Sequence, residues 1–230
     1  MPQRKTGASY DETIVLNAAL EAAVRDLFSH TGPTGQRALD AVARRLQTEA
    51  TDGKPADVVE RSMAYGQSVA AHILAWSQTD GGATVENMGF PVSMELPKGP
   101  GLWVPTSAIR QQQLPLLPAW GKNRLFALPD SKACGLPPPP AYSEESGSTF
   151  HKEAVEVYET TKALSDEQKL IARFWSDDPM LTPTPPGHWI AIVLQIAERD
   201  SLTVDRTAEA FARTGIAVAD AFIACWRDKF

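Results

Sequence analysis

The side chains of this 230-residue sequence whose types could do chemistry are four histidines (His30, His72, His151, His188), two cysteines (Cys134, Cys225) and two adjacent acidic pairs, Glu144/Glu145 and Asp177/Asp178. Their spacing is uninformative. No histidine has a partner at ligand distance along a helix, and His188, after Pro185, Pro186 and Gly187, reads as a turn residue satisfied by backbone beside a helix start. Neighbours in sequence do not share a helix face, so the acidic pairs read as solvated loop charges rather than acid–base couples. Two distant cysteines make neither a disulfide framework nor a zinc cluster. The sequence contains no His-Glu-x-x-His, Glu-x-x-His, Gly-x-Ser-x-Gly, Gly-x-Gly-x-x-Gly or Gly-Lys-Ser/Thr, so the common metal, nucleophile and nucleotide mechanisms lack their residues.

The elements that must position any site are helical. Ile14, Val15, Ala18, Ala19, Ala22, Ala23 and Leu27 recur at helical spacing from Asp11 to Phe28, and Gly32-Pro33 closes that segment. A second helix is predicted from Thr34 to Thr51, and a third from Pro55 through Val58, Val59, Met63, Ala70, Ile73, Leu74 and Trp76 to the break at Asp80-Gly81-Gly82. Short joints between them suggest an antiparallel bundle.

From Gly81 to Gly147 the character changes, since 11 of the 18 prolines lie between Pro91 and Pro140. Phe90, Leu102, Trp103, Leu114, Leu116, Leu117, Trp120, Leu125 and Phe126 are too many large apolar groups for a solvated tether, so this stretch is expected to wrap over a helical core. Helices resume at Thr149 to Ala163 and at Glu167 to Trp175, the latter behind a Ser165/Gln168 capping box. Thr182 to Pro186 reads as a turn before an apolar helix, Gly187 to Glu198. A last helix starts at Thr203 and keeps its apolar spacing to Phe230 with no C-cap signal, so the chain is expected to be cut there.

Composition excludes several classes. The balance of 22 basic to 28 acidic residues, with no run of like charges, argues against a nucleic-acid partner. The best apolar run, Trp189 to Ala197, is far too short for a membrane span, and Met1 to Glu12 lacks the apolar core of a signal peptide, so a soluble chain is expected.

Several irregular phrases carry a resemblance: Leu96-Pro-Lys-Gly-Pro-Gly-Leu-Trp-Val-Pro-Thr106, Trp120-Gly-Lys-Asn-Arg-Leu-Phe-Ala-Leu128, Pro137 to Tyr142, Ala172-Arg-Phe-Trp-Ser-Asp177, Thr184-Pro-Pro-Gly-His-Trp189 and Ala217 to Phe230. In this order, over residues 60 to 230, they resemble the N-terminal half of bacterial vanadium-dependent haloperoxidase-like proteins, of the superfamily shared with type 2 phosphatidic-acid phosphatases. The family's first site motif is a lysine, six residues, then Arg-Pro, following a phrase like Ala224-Cys-Trp226. The resemblance therefore places Lys229 at the motif lysine. It implies a catalytic and cofactor-binding role for Lys229, as an ammonium that holds vanadate or phosphate oxygens and stabilises charge developing on them. Without the resemblance, Lys229 is a last-turn lysine favoured by the helix dipole.

The fold class that follows is all-α: a helical bundle with a long, ordered Pro-rich loop, forming the incomplete N-terminal half of a haloperoxidase-like domain. Its parts are N-terminal helices (1–80), the wrapping loop (81–147) and C-terminal helices (148–230). The full-length protein is expected to oxidise halide with peroxide on vanadate, or alternatively to be an acid phosphatase acting on a phosphoester. The chain alone is expected to bind no cofactor or metal and to be inactive, because the family's arginines, serine, glycine amide and two histidines are not encoded. A reading of another class is a non-catalytic helical scaffold or interaction module that holds a partner with Trp103, Trp120 and the exposed face of the last helix. An exposed apolar stripe on Ala208 to Phe230 is expected to favour homo-oligomers.

Overall fold

A computed structural model describes residues 1–106, 113–130, 132–133, 135–177 and 184–230. The described residues form seven α-helices and short 3-10 turns, without strands, in two compact units, residues 1–83 and 84–230. The fold is all-α.

The first unit holds α1 (Glu12–Leu27), α2 (Pro33–Thr51) and α3 (Ala56–Ser77). Asp11 caps α1: its carboxylate accepts the N–H groups of Thr13 and Ile14 and pairs with Lys54 at 2.7 Å. The Lys54 bond, then the capping N–H groups, hold the Asp11 carboxyl below the usual carboxylate range. Pro33 opens α2 at the first helical position, where its missing N–H costs nothing. α1 packs chiefly along α3 and more lightly on α2. The face of α3 that meets α1 is narrow: Ser62, Gly66 and Ala70, one per turn, are its buried residues. Ser62 is wholly buried and its hydroxyl accepts the Asp11 N–H at 2.9 Å. A Cβ on Gly66 would lie 2.3 Å from the Val15 carbonyl oxygen, so the two backbones meet only because that side chain is missing. The large residues that periodicity placed inward fare differently, and Ile73 is 47% exposed.

The second unit holds α4 (Thr149–Lys162), α5 (Asp166–Phe174), α6 (Thr184–Arg199) and α7 (Val204–Lys229), preceded by the Pro-rich segment. Ser165 and Gln168 form the predicted capping box, with Ser165 N–H donating to Gln168 Oε1 at 2.8 Å and Gln168 N–H to Ser165 Oγ at 3.2 Å. Two expectations need correction. The α6 helix begins at Thr184, not Gly187, because Pro185 and Pro186 occupy a first turn that needs no N–H donors; of the predicted turn, Thr182 and Pro183 lie outside the described residues. The apolar stripe of α7 is partly covered, since α6 and the 3-10 turn Trp120–Lys122 pack on this helix and Asp220, Ile223 and Ala224 are buried.

No helix among the described residues is long and apolar enough to cross a membrane.

Candidate functional site

Three contacts dock the Pro-rich segment on α7, the helix that ends in Lys229. The carboxylate of Asp220, 3% exposed, accepts three consecutive backbone N–H groups, from Phe126, Ala127 and Leu128, each at 2.8 Å. Burial pushes its pKa up, but the three N–H bonds outweigh burial and the net shift is downward. Two turns later Gly121 lies flat on the helix: a Cβ there would sit 2.4 Å from the Arg227 nitrogen and 2.5 Å from its Cα. The Trp226 indole N–H donates to the Leu116 carbonyl at 3.0 Å.

A helix advances about 100° per residue, so Asp220, Ile223 and Arg227 share one face while Lys229 lies about 180° from Asp220, flanked by Trp226. The wrap packs on α7, and a concavity lies between the wrap and the end of the helix, with Trp226, Arg227 and Lys229 among its lining. Its volume is about 1160 Å³, and Phe90, Leu102, Trp103, Leu116, Trp226 and Phe230 are among its walls. Lys122, Arg227 and Lys229 also line it, and no Asp or Glu among the described residues does. The Lys229 ammonium stands 4.8 Å from the Trp226 ring centroid and 5.7 Å from that of Phe230, within cation–π reach of both. Lys229 itself is exposed and, among the described residues, neither it nor Lys122 has a carboxylate partner. Arg227 differs: its guanidinium pairs with Asp228, whose carboxyl it holds below the usual range and whose other oxygen accepts the Leu136 N–H at 3.4 Å.

The other residues with chemical potential scatter. Cys225 is exposed on α7, and Cys134 and Asp178 lie outside the described residues. Glu144 accepts the Tyr142 hydroxyl in an exposed turn. His188 and Asp177 overturn their expected readings: Asp177 is 7% exposed rather than solvated, and its Oδ1 lies 2.8 Å from His188 Nδ1. Its backbone, at φ +43°, is left-handed, a conformation that Asp tolerates better than most residues. Trp175 stacks on the imidazole at 4.9 Å, and Phe174 meets it edge-on at 4.8 Å. Periodicity could not reveal this pair, because its residues are eleven apart across the start of α6.

The pair fastens the end of α5 to the start of α6. Asp177→Ala is expected to leave His188 Nδ1 unpaired in a poorly hydrated place and to cost about 1–3 kcal/mol. Urea unfolding followed by tryptophan fluorescence checks this.

The described residues hold no cluster of three or more His, Cys, Asp or Glu side chains that could bind a metal cation. No protein-family model matches the chain, and no curated protein sequence does. Among solved structures the chain is similar to one described as the first bacterial vanadium-dependent iodoperoxidase, at 27% identity and a TM-score of 0.72. The match covers 100% of this chain and 54% of that one, so the chain spans about half the length of its structural neighbour. Its fold is haloperoxidase-like.

Proposed function

We propose that this chain is the N-terminal helical half of a vanadium-dependent haloperoxidase-like enzyme, and that Lys229 is one prong of the cradle that holds the oxyanion. The observation that carries the reading is that Lys229, at the end of α7, faces a concavity free of carboxylates among the described residues, within a fold similar over its whole length to a vanadium iodoperoxidase. An oxyanion asks for N–H donors and positive charge rather than for carboxylate ligands, and the side chains around Lys229 meet that demand.

Vanadate, when bound, supplies the centre at which peroxide is activated toward halide. Lys229 supplies three N–H donors and a full positive charge, with its ammonium within cation–π reach of the Trp226 ring. Lys229 is exposed in this chain; a cation fixed beside the oxyanion and closed off from water by the rest of such an enzyme would stabilise charge as it develops on an oxygen. One cation is not a cradle. The remaining donors belong to parts of such an enzyme with no counterpart in this sequence, so the chain alone is expected to turn over neither iodide nor a phosphoester.

The test is triiodide formation from iodide and peroxide by the product of the whole reading frame, stripped with chelator and then given vanadate back. Turnover is expected to depend on added vanadate, and Lys229→Ala is expected to lower it about 100-fold or more. Hydrolysis of p-nitrophenyl phosphate that vanadate inhibits, without iodide oxidation, would move the protein to the phosphatases of the superfamily. Iodide oxidation indifferent to both vanadate and Lys229 would sink the reading.

A further inference from the structure

We infer that Asp220 is a positioning residue for Lys229, acting through the Pro-rich wrap whose register along α7 it sets. That Lys229 is a site residue is the function proposed above; that Asp220 orders the helix around it stands on the contacts of this chain alone.

Between Phe90 and Gly147 the described residues form no element longer than a 3-10 turn, so no ladder of backbone bonds fixes where this segment lies. Apolar contacts are non-directional and would let it slide along the helix. A carboxylate behaves differently. Asp220 is 3% exposed and, with Ile223 and Ala224, makes up the buried part of α7 among the described residues. Burying a charge returns little net stability compared with well-packed apolar groups, even though removing it alone is costly. What Asp220 supplies is register. Phe126, Ala127 and Leu128 each donate an N–H to it at 2.8 Å, and three bonds of fixed direction admit one position of the segment. The next residue is Pro129, which has no N–H to give, so a slip that way would lose a donor.

Held in this register, the wrap fastens the three residues that precede Lys229. The Leu116 carbonyl accepts the Trp226 indole N–H at 3.0 Å, Gly121 lies against the Arg227 backbone where no Cβ would fit, and the Asp228 carboxylate accepts the Leu136 N–H at 3.4 Å. Three separate stretches of the wrap thus meet three successive residues of α7. Lys229 is exposed, and besides the rings of Trp226 and Phe230 nothing among the described residues holds its ammonium. Its place is therefore set by the backbone that carries it, and a site residue needs support that holds it to within about 0.5 Å. Asp220 touches neither Lys229 nor the concavity; it acts on both through the wrap.

Hydrogen exchange by NMR on this chain reads the ordering, and equilibrium dialysis of vanadate on the product of the whole reading frame reads its consequence. In Asp220→Asn, under conditions where circular dichroism shows the helices intact, the amides of residues 226–229 should lose about tenfold or more of their protection. Those of residues 208–216 in the same helix should keep theirs. Vanadate should bind about tenfold more weakly. A group that merely stabilises the unit would lower protection evenly along α7 and leave vanadate affinity unchanged in the folded protein. Should Asp220→Asn not fold, Gly121→Ala carries the test, because its methyl pushes the wrap off Arg227 while Asp220 stays in place. It is expected to give the same two losses, and the double variant no more than either alone, since both act on one element. Wild-type protection at residues 226–229 in the folded variants would overturn the inference, as would unchanged vanadate affinity once that protection is lost. A wild-type protein that binds no vanadate would overturn the proposed function instead, with the exchange result still deciding whether Asp220 orders the end of α7.

Discussion

Asp220→Ala is expected to free residues 126–128 from α7 and to destabilise the second unit by about 3–5 kcal/mol. Hydrogen bonds to an ionised group contribute about 1.5–3 kcal/mol each, and the replacement strands three N–H donors at once. The loss falls short of three full bonds because the loop can turn some of those donors toward water. Hydrogen exchange at Phe126, Ala127 and Leu128 is the direct readout: their amides should be protected in the wild type and exchange freely in the variant. Asp220→Asn is the informative companion. It keeps one acceptor oxygen but turns an NH2 toward N–H groups, so it should recover only part of the loss.

The pH dependence of that difference has a definite sign. Because three N–H bonds hold the folded Asp220 carboxyl below its ordinary value despite burial, its stabilising contribution is complete above the unfolded pKa and disappears as pH falls through the folded one. The stability gap between wild type and Asp220→Asn should therefore be constant near neutrality and close below about pH 4. A gap unchanged down to the acid limit would mean that the carboxylate charge is not what holds the loop. The consequence reaches the concavity as well, since the segment it anchors continues from Gly121 and Lys122, which line it.

Gly66→Ala should be as damaging to the first unit, by another route. The added methyl would lie 2.3 Å from the Val15 carbonyl oxygen and 3.0 Å from the Ala18 Cβ, and a helix backbone cannot yield as a flexible side chain does. The helices α1 and α3 must part, which loosens the packing around the Ser62–Asp11 hydrogen bond. A loss of about 3 kcal/mol is expected, at the upper end for overpacking, against the small gain that alanine ordinarily brings inside a helix. Gly215 is the control. It lies inside α7, where an added methyl would meet nothing within 4 Å, so Gly215→Ala should stabilise by about 0.5–1 kcal/mol. If thermal unfolding showed the two alanine variants shifting together, the close approach at Gly66 would not be a structural constraint.

These two residues also show where reading a sequence stops. Gly66 is invisible as a core residue because periodicity searches for large apolar groups, whereas the buried stripe of α3 is Ser62, Gly66 and Ala70. Small residues let backbones meet, and their value depends entirely on what lies across from them. Asp220 escapes notice for a related reason. A lone Asp inside an apolar helix carries no pattern, and its role depends on three consecutive amides 92 to 94 residues away. Taken singly, Asp177 and His188 look like a loop charge and a turn histidine, while a left-handed backbone at Asp177 turns them together.

What the sequence determined by itself is local. Helix spans followed from apolar spacing and breaking residues, the Ser165/Gln168 cap from two side chains three residues apart, and the all-α class from the absence of alternating strands, because each depends on neighbours within a few residues. Lys229 was proposed as a site residue only through the resemblance of its surroundings to a family motif. Tertiary structure alone decided what surrounds Lys229: a wrap pinned by Asp220 and Gly121, an indole under the ammonium, and apolar walls with no carboxylate among the described residues. Such an environment is made by segments distant along the chain, and the energy that brings them together resides in contacts no local pattern records.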